Sequence, residues 1–186
     1  LSSPVQVPGT TWSSDGEKWA GGAYDVLTVK TDGTLWAMGS NNYGQLAQNN
    51  LTSRSSPTQI PGTTWDKLAG GQAGLAMAGT KTDGTLWVWG GNAYGQLAQN
   101  NNVKYSSPVQ IPGTTWDKIR AAAQTFITTK TDGTMWVMGW NNQGNLGTNQ
   151  ATSPSAKVSS PVQVPGTWAY PLASRFGYLA GGLRES

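Results

Sequence analysis

The stretch "TDGTLWVWGGNAYGQLAQNN", Thr82 to Asn101, occurs in nearly the same words at Thr31 to Asn50 and, more loosely, at Thr131 to Asn149. In its first copy, "VLTVKTDGTLWAMG" (Val26 to Gly39), two β-rich runs flank Asp32-Gly33. An Asp-Gly pair supplies the positive φ angles of a two-residue turn, so the pattern predicts an antiparallel hairpin. "SNNYGQLAQNN" (Ser40 to Asn50) follows, dense in Asn and Gly. Such a run bends sharply, and its side-chain amides satisfy exposed backbone groups, so it reads as a loop around a short Gln45-Leu46 strand.

Working outward, a second landmark keeps step with the first. "SSPVQVPGTTW" (Ser2 to Trp12) returns as "SSPTQIPGTTW" (Ser55 to Trp65), "SSPVQIPGTTW" (Ser106 to Trp116) and "SSPVQVPGTW" (Ser159 to Trp168). Pro4, Pro57, Pro108 and Pro161 are 53, 51 and 53 residues apart, and Lys30, Lys81 and Lys130 of the "KTDGT" turn are 51 and 49 apart. Two landmarks with one period define a repeat array. Counted from the Ser-Ser-Pro element, the single domain 1–186 divides into repeats 1–53, 54–104 and 105–157, with a partial repeat or closing segment at 158–186.

Val5 and Val7 alternate around Gln6 between two prolines, which suits an edge strand. "DKIRAAAQTFITT" (Asp117 to Thr129) has helix propensity, but its counterparts carry paired glycines, so a strand or bend is expected in all three places. Seven of the ten tryptophans recur at repeat positions: Trp12, Trp65, Trp116 and Trp168 after Pro-Gly-Thr, and Trp36, Trp87 and Trp136 after the turn. Three or four short strands per period, with aromatic rings to pack between sheets, make an all-β, propeller-type repeat of three full blades of about 51 residues plus a partial fourth. Trp36, Trp87 and Trp136 are expected to be buried by the adjoining blade. Trp89 alternates with Trp87 along one strand and reads as core.

The pattern "KTDGTLWxxGxNxxGQL", at Lys30 to Leu46, Lys81 to Leu97 and Lys130 to Leu146, resembles the repeat of the regulator of chromosome condensation family. That resemblance implies a β-propeller, usually of seven blades. The family's Gly after "GQL" is Ala47 and Ala98 here and is kept only as Gly147; its His before the turn is absent, with Asp25 and Thr125 near that place. The founder's nucleotide exchange on a small GTPase and its nucleosome binding depend on its own loops and tail, and no residues here match them.

Composition narrows the chemistry. Only 11 % of the 186 residues are charged, with 25 Gly, no Cys and no His. Disulfides and thiolate metal sites are excluded, and the redox compartment stays open. The net charge of +3 is scattered singly, so nucleic acid is not indicated as a partner. No apolar run is long enough to span a membrane, the opening has no signal-peptide pattern, and the first residue, Leu1, points to a processed chain or an excised fragment. The neutral, Asn- and Thr-rich, Cys-free composition suggests an extracellular or virion setting.

Without His or Cys, catalysis would need carboxylates, Lys or Tyr. Asp32, Asp83 and Asp132, with Lys30, Lys81 and Lys130, recur in every turn and serve it; Asp66 and Asp117 follow a repeat Trp and are structural. Of the unique acids Asp15, Glu17, Asp25 and Glu185, only Asp15 and Glu17, in the extra "SSDGEKW" loop of the first repeat, could form a carboxylate pair. A solvated turn is the simpler reading, leaving a carboxylate-dependent hydrolase as the remote alternative. No calcium loop or phosphate loop appears, and no metal, cofactor or enzyme activity is expected. The expected function is a non-catalytic scaffold or recognition module, with protein partners through self-association or the rest of a longer propeller. The alternative is a glycan- or receptor-binding extracellular or phage appendage protein. Candidate binding residues are Trp140, Asn141, Asn142 and Gln143, with Tyr43 and Tyr94 in the Asn-Gly loops, since aromatic rings beside amides suit a sugar or a peptide.

Overall fold

The computed structural model describes residues 6–71, 75–149, 153, 156–173 and 180–184, with Ala180 and Arg184 in backbone only. The opening Ser2 to Val5 and the acid Glu185 lie outside the described residues. The first sheet is a meander of β1 (Trp19–Gly21), β2 (Asp25–Val29), β3 (Leu35–Gly39) and β4 (Arg54–Ile60). The second repeats it with β5 (Trp65–Gly70), β6 (Ala76–Lys81), β7 (Leu86–Gly90) and β8 (Tyr105–Ile111), and the third with β9 (Trp116–Ala122), β10 (Thr125–Lys130), β11 (Met135–Trp140) and β12 (Lys157–Val164). A fourth sheet contains β13 (Trp168–Ala173) and β14 (Ala180–Arg184). The Ala-rich segment is strand β9, a turn and strand β10, as its glycine-bearing counterparts require.

The Ser-Ser-Pro element closes the sheet before it. Ile60 pairs with Leu35 and Gln59 with Trp36, so β4 is the outer edge of the first sheet, and β8 and β12 repeat the arrangement. Proline is tolerated there because an edge strand leaves one row of groups unpaired. The period counted from Ser-Ser-Pro therefore runs one strand ahead of the sheet.

The hairpin connection has three residues, not two. Lys30 and Thr34 close it, Gly33 N–H donates to Lys30 O, and among Thr31, Asp32 and Gly33 only the glycine has positive φ, at 78°. A type I turn followed by a left-handed residue gives this geometry. Asp32 Oδ1 fixes it by accepting from the Thr34 N–H (2.9 Å) and the Thr34 hydroxyl (2.6 Å), and Asp83 and Asp132 do the same with Thr85 and Thr134. The threonine hydroxyl first, and then its backbone N–H, holds these three carboxyls below the usual aspartate value. Asp25 goes the other way: burial raises its pKa against hydrogen bonds from Gly22 N–H and Gln45.

These shifts fix the sign of the acid response. A depressed carboxyl contributes stability present above its unfolded value, about 4, and lost as pH falls through the lower folded value. A raised carboxyl protonates first and relieves its own burial. The melting temperature should therefore hold from neutral pH down to about 4.5 and fall below about 4. The triple change Thr34→Val, Thr85→Val, Thr134→Val should flatten that fall. An unaltered acid limb in the triple variant would contradict the assignment.

The Gln45-Leu46 strand expected in the Asn-Gly loop is absent; Ser40 to Asn50 is a run of turns. Side chains claim the groups that a strand would need. Asn41 Oδ1 accepts from Leu46 N–H, its Nδ2 donates to the Asn50 and Thr52 carbonyls, and Gln45 Oε1 accepts from Tyr43 N–H. Asn92 and Gln96 reproduce this in the second repeat.

The core lies between sheets. Leu27, Val29, Leu35, Ala37, Leu46 and Ile60 of the first sheet meet Trp65, Leu68, Met77 and Trp89 of the second. Leu86, Val88, Leu97 and Ile111 of the second meet Trp116, Ile119, Phe126 and Met138 of the third in the same sense. The first two blades thus have a forward face of Leu, Val, Ile and Ala, to which the third adds Met135. The backward faces carry larger Trp, Met and Phe side chains.

Tryptophan burial differs from expectation. Trp65, Trp89 and Trp116 are buried, but Trp36, Trp87 and Trp136 are only half-buried. They lie beside the turn at the rim of the sheet, where a repeat lysine covers them. Lys30 Nζ sits 4.7 Å from the Trp12 ring and 4.4 Å from that of Trp36; Lys81 lies between Trp65 and Trp87, and Lys130 between Trp116 and Trp136. An ammonium group over an indole face is attracted by its quadrupole. The invariance of Lys and both Trp within this chain follows from that sandwich.

Candidate functional site

Three places carry polar or aromatic groups beyond the needs of a blade. The first is on the loop side. Tyr94, from the second Asn-Gly loop, stacks on Trp140 at the end of β11, with centroids 4.6 Å apart and planes tilted 35°. Tyr43, 44 % exposed, and Tyr94 line one groove of about 540 Å³ together with Leu75, Asn102, Lys104 and Gln124. The fold thus brings Tyr43, Tyr94 and Trp140 into one region from three blades. Asn141 is buried and acts as a brace, its Oδ1 accepting from Leu146 N–H at 3.2 Å as Asn41 and Asn92 do for Leu46 and Leu97. Asn142 is half-buried and Gln143 exposed. Lys104, Asn102 and Gln124 were not singled out in the sequence. Their signal is that they break the repeat: Lys104 stands where the first repeat has Ser53, and Gln124 lies in the β9–β10 turn.

The second place is the axis on which the inner strands converge. Lys18 Nζ lies 3.8 Å from Asp66, Lys67 Nζ 2.9 Å from Asp66 and 3.4 Å from Asp117, and Lys118 Nζ 3.0 Å from Asp117. Burial opposes the charge on Lys67, but the hydrogen bond and charge of Asp66, then those of Asp117, outweigh it and raise its pKa; Asp117 is lowered because Lys118 and Lys67 overcome its own burial. Glu17 Oε1 closes the series, accepting from Arg120 Nη2 at 2.5 Å and from the Tyr170 hydroxyl, while the Arg120 guanidinium lies 4.8 Å from the Tyr170 ring centroid. Asp15 caps the short 3-10 turn Gly16–Lys18 by accepting from Glu17 N–H. Both carboxylates of the conjectured acid pair are therefore engaged in structure. No group of three or more acidic side chains that could hold a metal occurs among the described residues.

The third place is the backward face of the first sheet. Val26, Thr28, Trp36 and Met38 stand at the positions of Met77, Gly79, Trp87 and Trp89 in the second sheet and Phe126, Thr128, Trp136 and Met138 in the third. Met77, Trp89, Phe126 and Met138 are at most 1 % exposed because the preceding blade covers them. Val26 and Met38 are only half-buried, and with Val7, Trp12, Trp19 and Pro57 they line an open apolar groove of about 340 Å³.

The comparisons with known proteins agree with this architecture. A family model described as the regulator of chromosome condensation (RCC1) repeat matches residues 32–72 and 83–123. The ultraviolet-B receptor UVR8 of Arabidopsis thaliana is 33 % identical over 111 residues, which is 56 % of this chain and 25 % of that protein. Prp20p from Saccharomyces cerevisiae, whose structure is described with its binding properties to Gsp1p and histones, matches with a TM-score of 0.74 at 12 % identity, over 90 % of this chain and 44 % of its own. Human WBSCR16 matches with a TM-score of 0.65 at 22 % identity, over 77 % of this chain and 36 % of its own. The chain thus spans a quarter of the curated relative and less than half of these solved chains. Both family-model matches start at the turn aspartate and run through the Asn-Gly loop and outer strand into the next inner strand. The chain thus carries repeats similar to those of the regulator of chromosome condensation family, matched over residues 32–72 and 83–123.

Proposed function

We propose that the protein is a non-catalytic recognition module that binds other proteins as a sector of a β-propeller, and that its open backward face takes the forward face of a second copy. The carrying observation is the half-exposure of Val26 and Met38, where the two later blades bury Met77, Trp89, Phe126 and Met138. An apolar, aromatic face left in water favours association. Within the chain the same kind of face is covered twice by Leu, Val and Ile side chains, so the fitting partner chemistry is already specified. At the other end, the fourth sheet leaves a cleft of about 660 Å³ lined by Val137, Leu146 and Val164, which are forward-face residues. Unlike faces at the two ends give head-to-tail contact, which closes into a ring or runs on as a filament. The described binding of Prp20p to Gsp1p and histones, and of yeast RCC1 (Prp20) to Kap60, supports protein partners for a propeller of this kind.

Light scattering tests this reading. The 186-residue chain should give a defined multiple of 19.6 kDa. Met38→Glu, at a half-exposed position, should yield a folded monomer. A wild-type monomer at every concentration, or an unchanged mass in Met38→Glu, would remove the face from the function.

A further inference from the structure

We propose that the groove between Tyr43 and Tyr94 is a saccharide site selective for an acidic sugar residue, a uronate or sialate. This is independent of self-association, since the groove lies among the Asn-Gly loops and shares no lining residue with the backward face.

The lining has the parts that bind a pyranose. Tyr94 is held from behind by Trp140 at 4.6 Å, and its backbone N–H is tied to Gln96 Oε1 at 2.9 Å, so the ring is fixed before any ligand arrives. A fixed aromatic ring contributes contact area at little entropic cost. Tyr43, from the neighbouring blade, lines the same groove, with its own N–H tied to Gln45. Two tyrosine rings from separate blades thus line one groove, and an aromatic face suits the C–H face of a sugar. The Gln124 and Asn102 carboxamides reach the groove without a side-chain bond to any described residue. A carboxamide offers both donors and an acceptor, which matches vicinal hydroxyls.

Charge narrows the class. Lys104 is the only charged side chain in the lining, and no carboxylate accompanies it among the described residues. Its ammonium makes one long hydrogen bond, 3.5 Å to Asn42 O, leaving two N–H donors for a ligand. An ammonium group beside two aromatic rings and two amides selects a sugar bearing a carboxylate over its neutral counterpart. A peptide would find the rings and the charge, but the groove is walled by loops and turns and not by the outer strand edges β4, β8 or β12.

Calorimetric titration distinguishes the outcomes, with trigalacturonate and sialyllactose as acidic probes, galactotriose and lactose as neutral ones, and a hexaglutamate peptide as an anion without sugar rings. The acidic sugars should bind saturably and about tenfold more tightly than the neutral ones, a difference of about 1.4 kcal/mol. Lys104→Gln should erase that preference. Tyr43→Ala should weaken acidic and neutral sugars alike with only a small change in melting temperature, because Tyr43 is partly exposed and its N–H bond to Gln45 is made by the backbone. Binding of hexaglutamate as tight as that of trigalacturonate would replace the saccharide reading with an acidic peptide. Absence of acidic-sugar binding, or a preference surviving Lys104→Gln, would overturn it. The oligomeric mass is read separately, so failure here leaves the assembly test intact.

Discussion

Trp89→Ala should destabilise the fold by about 3–5 kcal/mol, the range for emptying a buried tryptophan site. The side chain has no solvent exposure and lies across the junction of the first two blades. Its ring meets Trp65 edge-on at 5.7 Å, and its indole N–H donates to Gln45 O at 2.9 Å. Removing it opens a cavity and strips a carbonyl in the first blade of its donor, so both sheets lose a partner. In a chain of this size each kcal/mol shifts the midpoint by roughly 2–4 °C, so a fall on the order of 10 °C is expected in a thermal melt. Trp36→Ala is the matched control on the open face, where the indole is half-buried and its N–H bonds within its own turn to Thr34 Oγ1. A loss in Trp36→Ala equal to that in Trp89→Ala would mean that something already covers the first sheet.

Gly84→Ala is the second large expected effect, at about 3 kcal/mol or more, and Gly147→Ala is its control. Both glycines have positive φ, 76° and 64°, so each substitution carries the strain of a left-handed residue, about 1–3 kcal/mol. They differ in their surroundings. A Cβ on Gly84 would overlap the Thr114 carbonyl oxygen, part of the segment leading into the third blade, whereas one on Gly147 would meet nothing within 4 Å. That segment is anchored at the same point, because Trp116 N–H donates to Gly84 O at 3.0 Å. The alanine must therefore push the linker away or break the bond between blades. Chemical denaturation of the two variants isolates this contribution, and equal losses would show that the linker yields freely.

Repetition made much of the fold legible. A residue type required by the blade is required in each copy, so the Lys-Thr-Asp-Gly hairpins, the proline-bearing edge strands and the Trp positions could be read from the period alone. The phase of the sheet could not be read, because the pairing of Ile60 with Leu35 joins segments on opposite sides of the Asn-Gly loop. The half-burial of Trp36, Trp87 and Trp136 was hidden for a related reason: a period marks a position as required by the blade but not how near the rim of the sheet it lies, and there the neighbouring lysine covers the ring. The candidate groove was half visible. Tyr43 and Tyr94 repeat in register, and Trp140 interrupts it, but Lys104 and Gln124 are unremarkable residues that only blade-to-blade packing brings together. Asn141 looked like a ligand-facing amide because buried braces and exposed donors are spelled with the same residue.

The contact of Glu17 with Arg120 and Tyr170 changes what kind of repeat array this is. Where repeats touch only adjacent repeats, stability spreads along a line, and each end is free to fray because nothing beyond it depends on it. Glu17 lies 103 residues from Arg120 and 153 from Tyr170. Through this carboxylate the first and last units share an energetic boundary, and opening either one removes a partner from the other. The four-residue extension Ser13 to Gly16 that sets Glu17 apart from Trp12 therefore acts on the topology of cooperativity, turning a line with two loose ends into a loop.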